Sequence, residues 1–172
     1  MAIFSLNEVR TEQIKNIAND NFESWPESAT YGYFGGGYAP PTVNTIDRID
    51  FSNETTSAPG NNLSLVKYAL AAVSSSSYGY FGGGFAPPYA TTIDRIDFSN
   101  ETTSPVTDTL SQARRDLAAV SGGASERIKG SRTYGYFAGG ESGSSTFTDI
   151  IDRIDFSNDT TSAQGTATLS HS

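Results

Sequence analysis

Apolar and polar positions alternate in short runs along most of this chain, and only near its start do they follow a helical period. From Tyr31 to Gly36, Tyr31 and Tyr33 fall on one face and Gly32 and Phe34 on the other, the period of two that predicts a strand. The run ends in glycines, which permit a sharp turn or a close backbone approach. Thr45 to Phe51 predicts a second strand, with Asp47, Ile49 and Phe51 on one face and Ile46, Arg48 and Asp50 on the other. Ser52-Asn53-Glu54-Thr55 reads as a turn, because Ser and Asn side chains bond nearby backbone groups. Residues 56–65 suit a short, irregular third strand. Tyr68 to Ser74 predicts a fourth, matched further on by Asp116 to Ser121.

Residues 5–22 follow a different rule. Ser5 followed by Glu8 is a capping-box pattern that opens a helix. Leu6, Val9, Ile14, Ile17 and Phe22 then share roughly one face, with Arg10, Glu12, Lys15 and Asn16 elsewhere. A helix of this length is marginal alone and needs a surface to pack on. That surface is either the chain's own β domain or a larger assembly. In the second reading Leu6, Val9, Ile14, Ile17 and Trp25 are assembly contacts, and Trp25-Pro26 is a hinge or plug before the β region.

The β pattern is repeated. Tyr31-Gly32-Tyr33-Phe34 returns at 78–81 and at 134–137, and Ile46-Asp47-Arg48-Ile49-Asp50-Phe51-Ser52-Asn53 recurs unchanged at 93–100 and 151–158. The copies are 47 and then 56 residues apart, and the longer interval holds a Gly-, Ser- and charge-rich stretch, 122–132, that predicts an enlarged loop. The chain thus divides into an N-terminal segment, 1–30, and a three-repeat β domain, 31–172, with repeats at about 31–77, 78–133 and 134–172.

Composition narrows the partners. Nineteen acidic against 11 basic residues give a net charge of −8, without the basic stripe that nucleic acid requires. No polybasic cluster suits an anionic membrane, and no apolar run approaches the ~18 residues of a spanning helix. There is no cysteine, which removes disulfides and thiolate metal sites. The first residues turn polar too early for a signal peptide, so synthesis in a cytoplasm is expected, with the product soluble or assembled into a particle there. Seventeen Gly, nine Tyr and ten Phe suit short strands joined by tight turns.

Four short antiparallel strands over about 45–50 residues match a β-propeller blade. The order is a small-apolar strand (Arg115-Asp116-Leu117-Ala118-Ala119-Val120), an aromatic strand ending in glycines, then an aromatic and acidic strand. This order resembles the kelch repeat, whose double glycine is supplied by Gly35-Gly36, Gly82-Gly83 and Gly139-Gly140. The family's usual Trp near the end of its third strand is missing, which makes the unit a divergent one. The combination YGYFGGG…TIDRIDFSN…LSxARRDLAAVS resembles repeats in virion and tail-associated structural proteins of marine cyanobacterial phages, over roughly residues 31–170. The expected fold is therefore all-β, with three kelch-like propeller-blade repeats as the resemblance implies, an incomplete propeller or β-prism-like, preceded by the short N-terminal helix read from residues 5–22. The resemblance carries no catalytic residue. A closed propeller needs at least four blades, so three repeats leave faces uncovered. Oligomerisation, a three-unit prism or solenoid, or a fragment of a longer chain would each account for that. Oligomerisation is favoured here, and the resemblance to fibre-like virion proteins implies a trimer.

Chemistry is sparse. The sole histidine, His171, is penultimate, which disfavours a Ser/His/Asp or Cys/His site and a His-rich metal site. Asp47 with Asp50, Asp94 with Asp97 and Asp152 with Asp155 could be read as catalytic pairs, but residues i and i+3 of a strand point to opposite faces. They are read instead as a ladder in which Arg48, Arg95 and Arg153 pair with these aspartates between blades. A calcium role for Asp50 to Glu54 has oxygen ligands but not the spacing of an EF-hand loop. The Asn53, Asn100 and Asn158 sequons read as turns, and the glycines are not followed by the Lys of a nucleotide loop. No catalytic residue, metal or cofactor is expected.

Specificity is expected in the loops after the glycines: Tyr38-Ala39-Pro40-Pro41-Thr42, Phe85-Ala86-Pro87-Pro88-Tyr89 and Glu141-Ser142-Gly143-Ser144-Ser145. Equivalent loops should cluster on one rim, where binding residues tend to sit. Tyr38, Phe85 and Tyr89 are the candidate contacts, either stacking on a host-surface glycan or packing on a neighbouring protein. The functional expectation is a non-enzymatic phage virion structural protein, tail- or fibre-associated, made in the host cytoplasm and located in the virion. It would contact other virion proteins and copies of itself. The alternative is a carbohydrate- or protein-binding adhesin module.

Overall fold

The computed structural model describes residues 30–122, 133–143 and 146–170. Among them the chain is all-β, with strands paired antiparallel and no sheet closed on itself. The helix expected over 5–22, with Leu6, Val9, Ile14, Ile17 and Trp25, lies outside the described residues, as does His171.

The first repeat forms a three-stranded sheet: β1 (Tyr31–Tyr38), β2 (Thr42–Asp50) and β3 (Thr55–Ser57). A four-stranded sheet joins β4 (Ala71–Ser74), from the end of the first repeat, to β5 (Tyr78–Gly82), β6 (Ile93–Asp97) and β7 (Thr103–Pro105) of the second. The next sheet follows the same plan, joining β8 (Ala118–Gly122), from the end of the second repeat, to β9 (Tyr134–Ala138), β12 (Ile150–Asp155) and β13 (Thr160–Thr168) of the third. A small hairpin, β10 (Glu141–Gly143) with β11 (Thr146–Phe147), is inserted between β9 and β12. Register is the same in each repeat. Tyr33 lies opposite Arg48, Tyr80 opposite Arg95 and Tyr136 opposite Arg153.

The expected strands are found with shifted ends. β1 continues past its glycines to Tyr38, because a bulge between Gly35 and Gly37 absorbs the turn and pairing resumes with Thr42. The third strand keeps only three residues. The fourth begins at Ala71 and not at Tyr68, because Ala69 has φ 54 and Asp116, its counterpart, φ 54. That left-handed step swings Tyr68 away from the ladder and into a bridge with Phe85.

The turn after β2 is built three times from side chains. The Asp50 carboxylate accepts from the backbone N–H and hydroxyl of Ser52, and the Asn53 side-chain oxygen accepts from both donors of Thr55. Asp97, Ser99, Asn100 and Thr102 repeat it, and so do Asp155, Ser157, Asn158 and Thr160. The serine donors hold all three aspartates below the ordinary carboxyl value. Stability from these bonds is therefore complete above the unfolded pKa of about 3.9 and is lost as pH falls through the lower folded values. Replacing Asp50, Asp97 and Asp155 by Asn should flatten the loss of stability below about pH 4, read by urea denaturation at stepped pH. An acid limb as steep as that of the parent would assign acid sensitivity to other carboxylates.

The core lies between repeats. Ile46 and Leu63 of the first repeat pack with Phe81 and Ile96 of the second. Val73, Tyr80, Ile93, Leu110 and Leu117 pack with Phe137, Ile154 and Phe156 of the third. In the second and third repeats the phenylalanine after Tyr-Gly-Tyr lies over a glycine of the preceding sheet. A Cβ on Gly35 would stand 3.0 Å from the Phe81 ring, and one on Gly82 would stand 2.7 Å from that of Phe137. Tyr33 stacks on Phe98 at 5.3 Å and Tyr80 on Phe156 at 5.1 Å, which adds oriented ring contact to the buried area.

Charges seal these interfaces, with partners that differ from the expected ones. Arg48 and Arg95 pair with Glu101 and Asp159, the acids at the turn tips, and not with the strand aspartates. Asp50 and its copies are already committed to their own turns, so they offer the arginines little. Glu101 also accepts from the Tyr33 hydroxyl at 3.0 Å, and burial together with that bond pushes the phenol up to about 12. The other aspartates serve a second lock. Lys67 meets Asp94 at 2.9 Å and Arg114 meets Asp152 at 2.7 Å, all four buried.

Candidate functional site

The interfaces repeat almost side chain for side chain, but one rim does not. After its paired glycines each repeat presents a loop, and the segment leading into the next repeat lies against the loop that follows. Tyr68 and Phe85 exchange backbone hydrogen bonds of 3.2 and 2.8 Å, and Arg115 and Glu141 do the same at 3.0 and 2.9 Å. These two pairs occupy equivalent places, so identical backbone carries an aromatic pair at one interface and an ion pair at the next.

The side chains form a continuous ladder. Tyr38 packs on Tyr68 with ring centroids 5.2 Å apart, Tyr68 on Phe85 at 5.3 Å, and Phe85 edge-on to Tyr89 at 5.5 Å. The Arg115 guanidinium lies 5.6 Å from both the Phe85 and Tyr89 centroids, within cation–π range. Its Nε and Nη2 donate to Glu141 Oε2 at 2.9 and 2.6 Å, and the Tyr89 hydroxyl donates to Glu141 Oε1 at 3.1 Å. Burial and the Glu141 bond raise the Tyr89 phenol above its ordinary value, so it stays a neutral donor.

The three residues expected from the sequence, Tyr38, Phe85 and Tyr89, thus stand in one array. Tyr38 is 68% exposed and offers a ring face to solvent, whereas Phe85 and Tyr89 are half-buried. Beyond Glu141, the β10–β11 hairpin carries an exposed Phe147 opposite it in register. Tyr68, Arg115 and Glu141 were not singled out from sequence. Their signal was the alignment of repeats, since Tyr68 falls at the place of Arg115 ahead of a shared Leu-Ala-Ala-Val-Ser, and Glu141 at that of Phe85 after a shared Gly-Gly.

Among the described residues no group of three or more His, Asp or Glu side chains is placed to hold a metal ion. Asp94 and Asp152 face buried cations, and Asp97 and Asp155 are bound in turns, so no two of them stand across an open cleft. The array can stack on a flat or apolar surface and exchange hydrogen bonds at its Arg115–Glu141 end.

No family model matches this chain, and no curated protein does. Among solved structures it is similar to the structure of YjhT, with a TM-score of 0.65 over 84% of this chain at 12% identity. The fold is propeller-like. The chain spans about half of that protein, 50% of its length, and at this identity the likeness speaks for architecture alone.

Proposed function

We propose that this chain is a virion structural protein of a phage, tail- or fibre-associated, whose kelch-like blades form a rigid, non-catalytic module for assembly. The sequence resemblance of its repeats to those of cyanophage virion proteins supports the reading. The observation that carries it is where the repeated charges go. In the second and third repeats every strand and turn-tip acid of the motif is tied to a cation of the preceding repeat or to its own turn, which is the economy of a scaffold. Other virion proteins would be its partners and the virion its location. Antibody against the chain should label purified particles, and the chain should co-sediment with them. Its absence from washed particles would overturn the reading.

The aromatic ladder favours a second reading, in which the module also binds a host-surface carbohydrate. Sugars present apolar C–H faces that stack on exposed rings, and Tyr38 with Arg115 and Glu141 supplies both a ring and polar groups. Tyr38→Ala and Phe85→Ala are expected to abolish any signal on a glycan array while leaving thermal stability within about 1 kcal/mol for the exposed Tyr38. Binding unchanged in both variants would remove the rim from the account.

A further inference from the structure

The two outermost faces of the array are the unmatched halves of the interface that the chain already uses twice. Four large apolar side chains are exposed although their counterparts in other repeats are buried. Phe34 is 63% exposed where Phe81 and Phe137 are 3% and 0%. Phe51 is 55% exposed where Phe156 is 9%. Val120 is 63% exposed where Val73 is 5%, and Leu169 is 43% exposed where Leu63 and Leu110 are each 2%. Phe34 and Phe51 belong to the leading face of the first sheet, and Val120 and Leu169 to the trailing face of the last.

The polar groups divide in the same way. On the leading face Glu54 stands at the place of Glu101 and Asp159, held at φ 58 as they are at 58 and 60, and Asp47 stands at the place of Asp94 and Asp152. On the trailing face Arg153 stands at the place of Arg48 and Arg95, over the Tyr134 ring at 4.6 Å as they lie over Tyr31 and Tyr78, but without their ion pair among the described residues. Tyr136 lies opposite Arg153 in register, as Tyr33 lies opposite Arg48. Leu169-Ser170 repeats Leu63-Ser64 and Leu110-Ser111, whose serine N–H groups donate to Asp94 and Asp152. One face therefore carries acids and ring edges, and the other carries the guanidinium, the phenol and the apolar receptors.

We infer that a second copy of this chain docks head-to-tail, its Phe34, Phe51 and Glu54 entering the place prepared by Val120, Tyr136 and Arg153. Glu54 then accepts from Arg153 and Tyr136 as Glu101 accepts from Arg48 and Tyr33. Two copies are favoured because three repeats span half of the propeller-like chain of YjhT, so a pair supplies a full round with both interfaces used. This deepens the reading of the chain as an assembly module and fixes the surface through which it assembles.

Two features loosen this contact. Asp47, unlike Asp94 and Asp152, meets no counterpart of Lys67 or Arg114 among the described residues. Gly35 and Gly82 receive the following phenylalanine, but the third repeat has Ala138 there, so Phe34 of the second copy must tilt to clear a methyl group. The terminal contact is thereby looser than the internal ones.

The test is the mass of the purified chain at about 0.15 M salt and roughly 100 µM, well above a micromolar Kd, by light scattering and sedimentation. Two copies are expected. Arg153→Glu and Glu54→Arg should each weaken association at least about tenfold, and the two together in one chain should restore it, since the swapped charges face each other again. Ala138→Gly should tighten it. A monomer at this concentration, a trimer, or a dimer indifferent to both charge variants would overturn the inference. None of these results touches particle labelling, so the two proposals fail separately.

Discussion

Lys67→Met is expected to destabilise the folded chain by about 3–5 kcal/mol, read as a lower urea midpoint, because it strands a buried carboxylate. Asp94 has 1% of its side chain exposed, its Oδ2 faces the Lys67 ammonium at 2.9 Å, and its Oδ1 accepts from the Ser64 N–H at 3.1 Å. Burial pushes the lysine down from its ordinary pKa while Asp94 opposes that shift, and removing either partner leaves the other buried without it. The double variant Lys67→Met with Asp94→Leu should recover at least half of the loss, since an apolar pair of similar volume escapes the desolvation cost. It will not recover all of it, because Ser64 N–H and the Thr92 and Phe81 carbonyls lose partners. Losses that simply add in the double variant would show that the two groups do not act as a pair.

Gly83→Ala is the second substitution with a large expected cost, about 2–4 kcal/mol. Gly83 has φ +70, and a Cβ there would meet the Arg114 carbonyl oxygen at 2.8 Å, a backbone atom that already accepts from the Gly84 N–H at 2.9 Å. A shift of that carbonyl would carry Arg114 away from Asp152, so backbone strain and a weakened ion pair arrive together. Gly60→Ala separates the two causes. Gly60 has φ +92 but nothing within 4 Å of the added carbon, so only the conformational cost of about 1 kcal/mol is expected there. Equal midpoints for the two variants would mean that the close approach at Gly83 is relieved without cost.

The strand plan was legible because the period of two survives in Tyr31 to Phe34 and in Ile46 to Phe51, and because Ser and Asn at the turn declare their own hydrogen bonds. The all-β class followed from the same residues. What could not be read were the partners across repeats. Arg48 was expected to meet strand aspartates and meets Glu101 instead, 53 residues on. Alternation within one strand says which face a residue takes but not which loop of the next sheet lies against it. Lys67 and Arg114 were missed because one is Lys and the other Arg in divergent surroundings, and only their common fate, a buried aspartate of the following sheet, makes them equivalents. The rim was half legible. Tyr38, Phe85 and Tyr89 stood out as loop aromatics, but the ladder depends on Tyr68, whose place was set by the left-handed step at Ala69.

The duplication of one interface, with the Tyr33–Phe98 and Tyr80–Phe156 stacks at its two occurrences, has an energetic consequence. Each sheet is stabilised by its neighbours, so the free energy of the array is a sum over adjacent pairs and not a property of one shared core. In a single copy the middle sheet is clamped from both sides and each outer sheet from one. Melting therefore starts at the ends and works inward, and the last part of the molecule to open is the repeat that carries Phe85 and Tyr89.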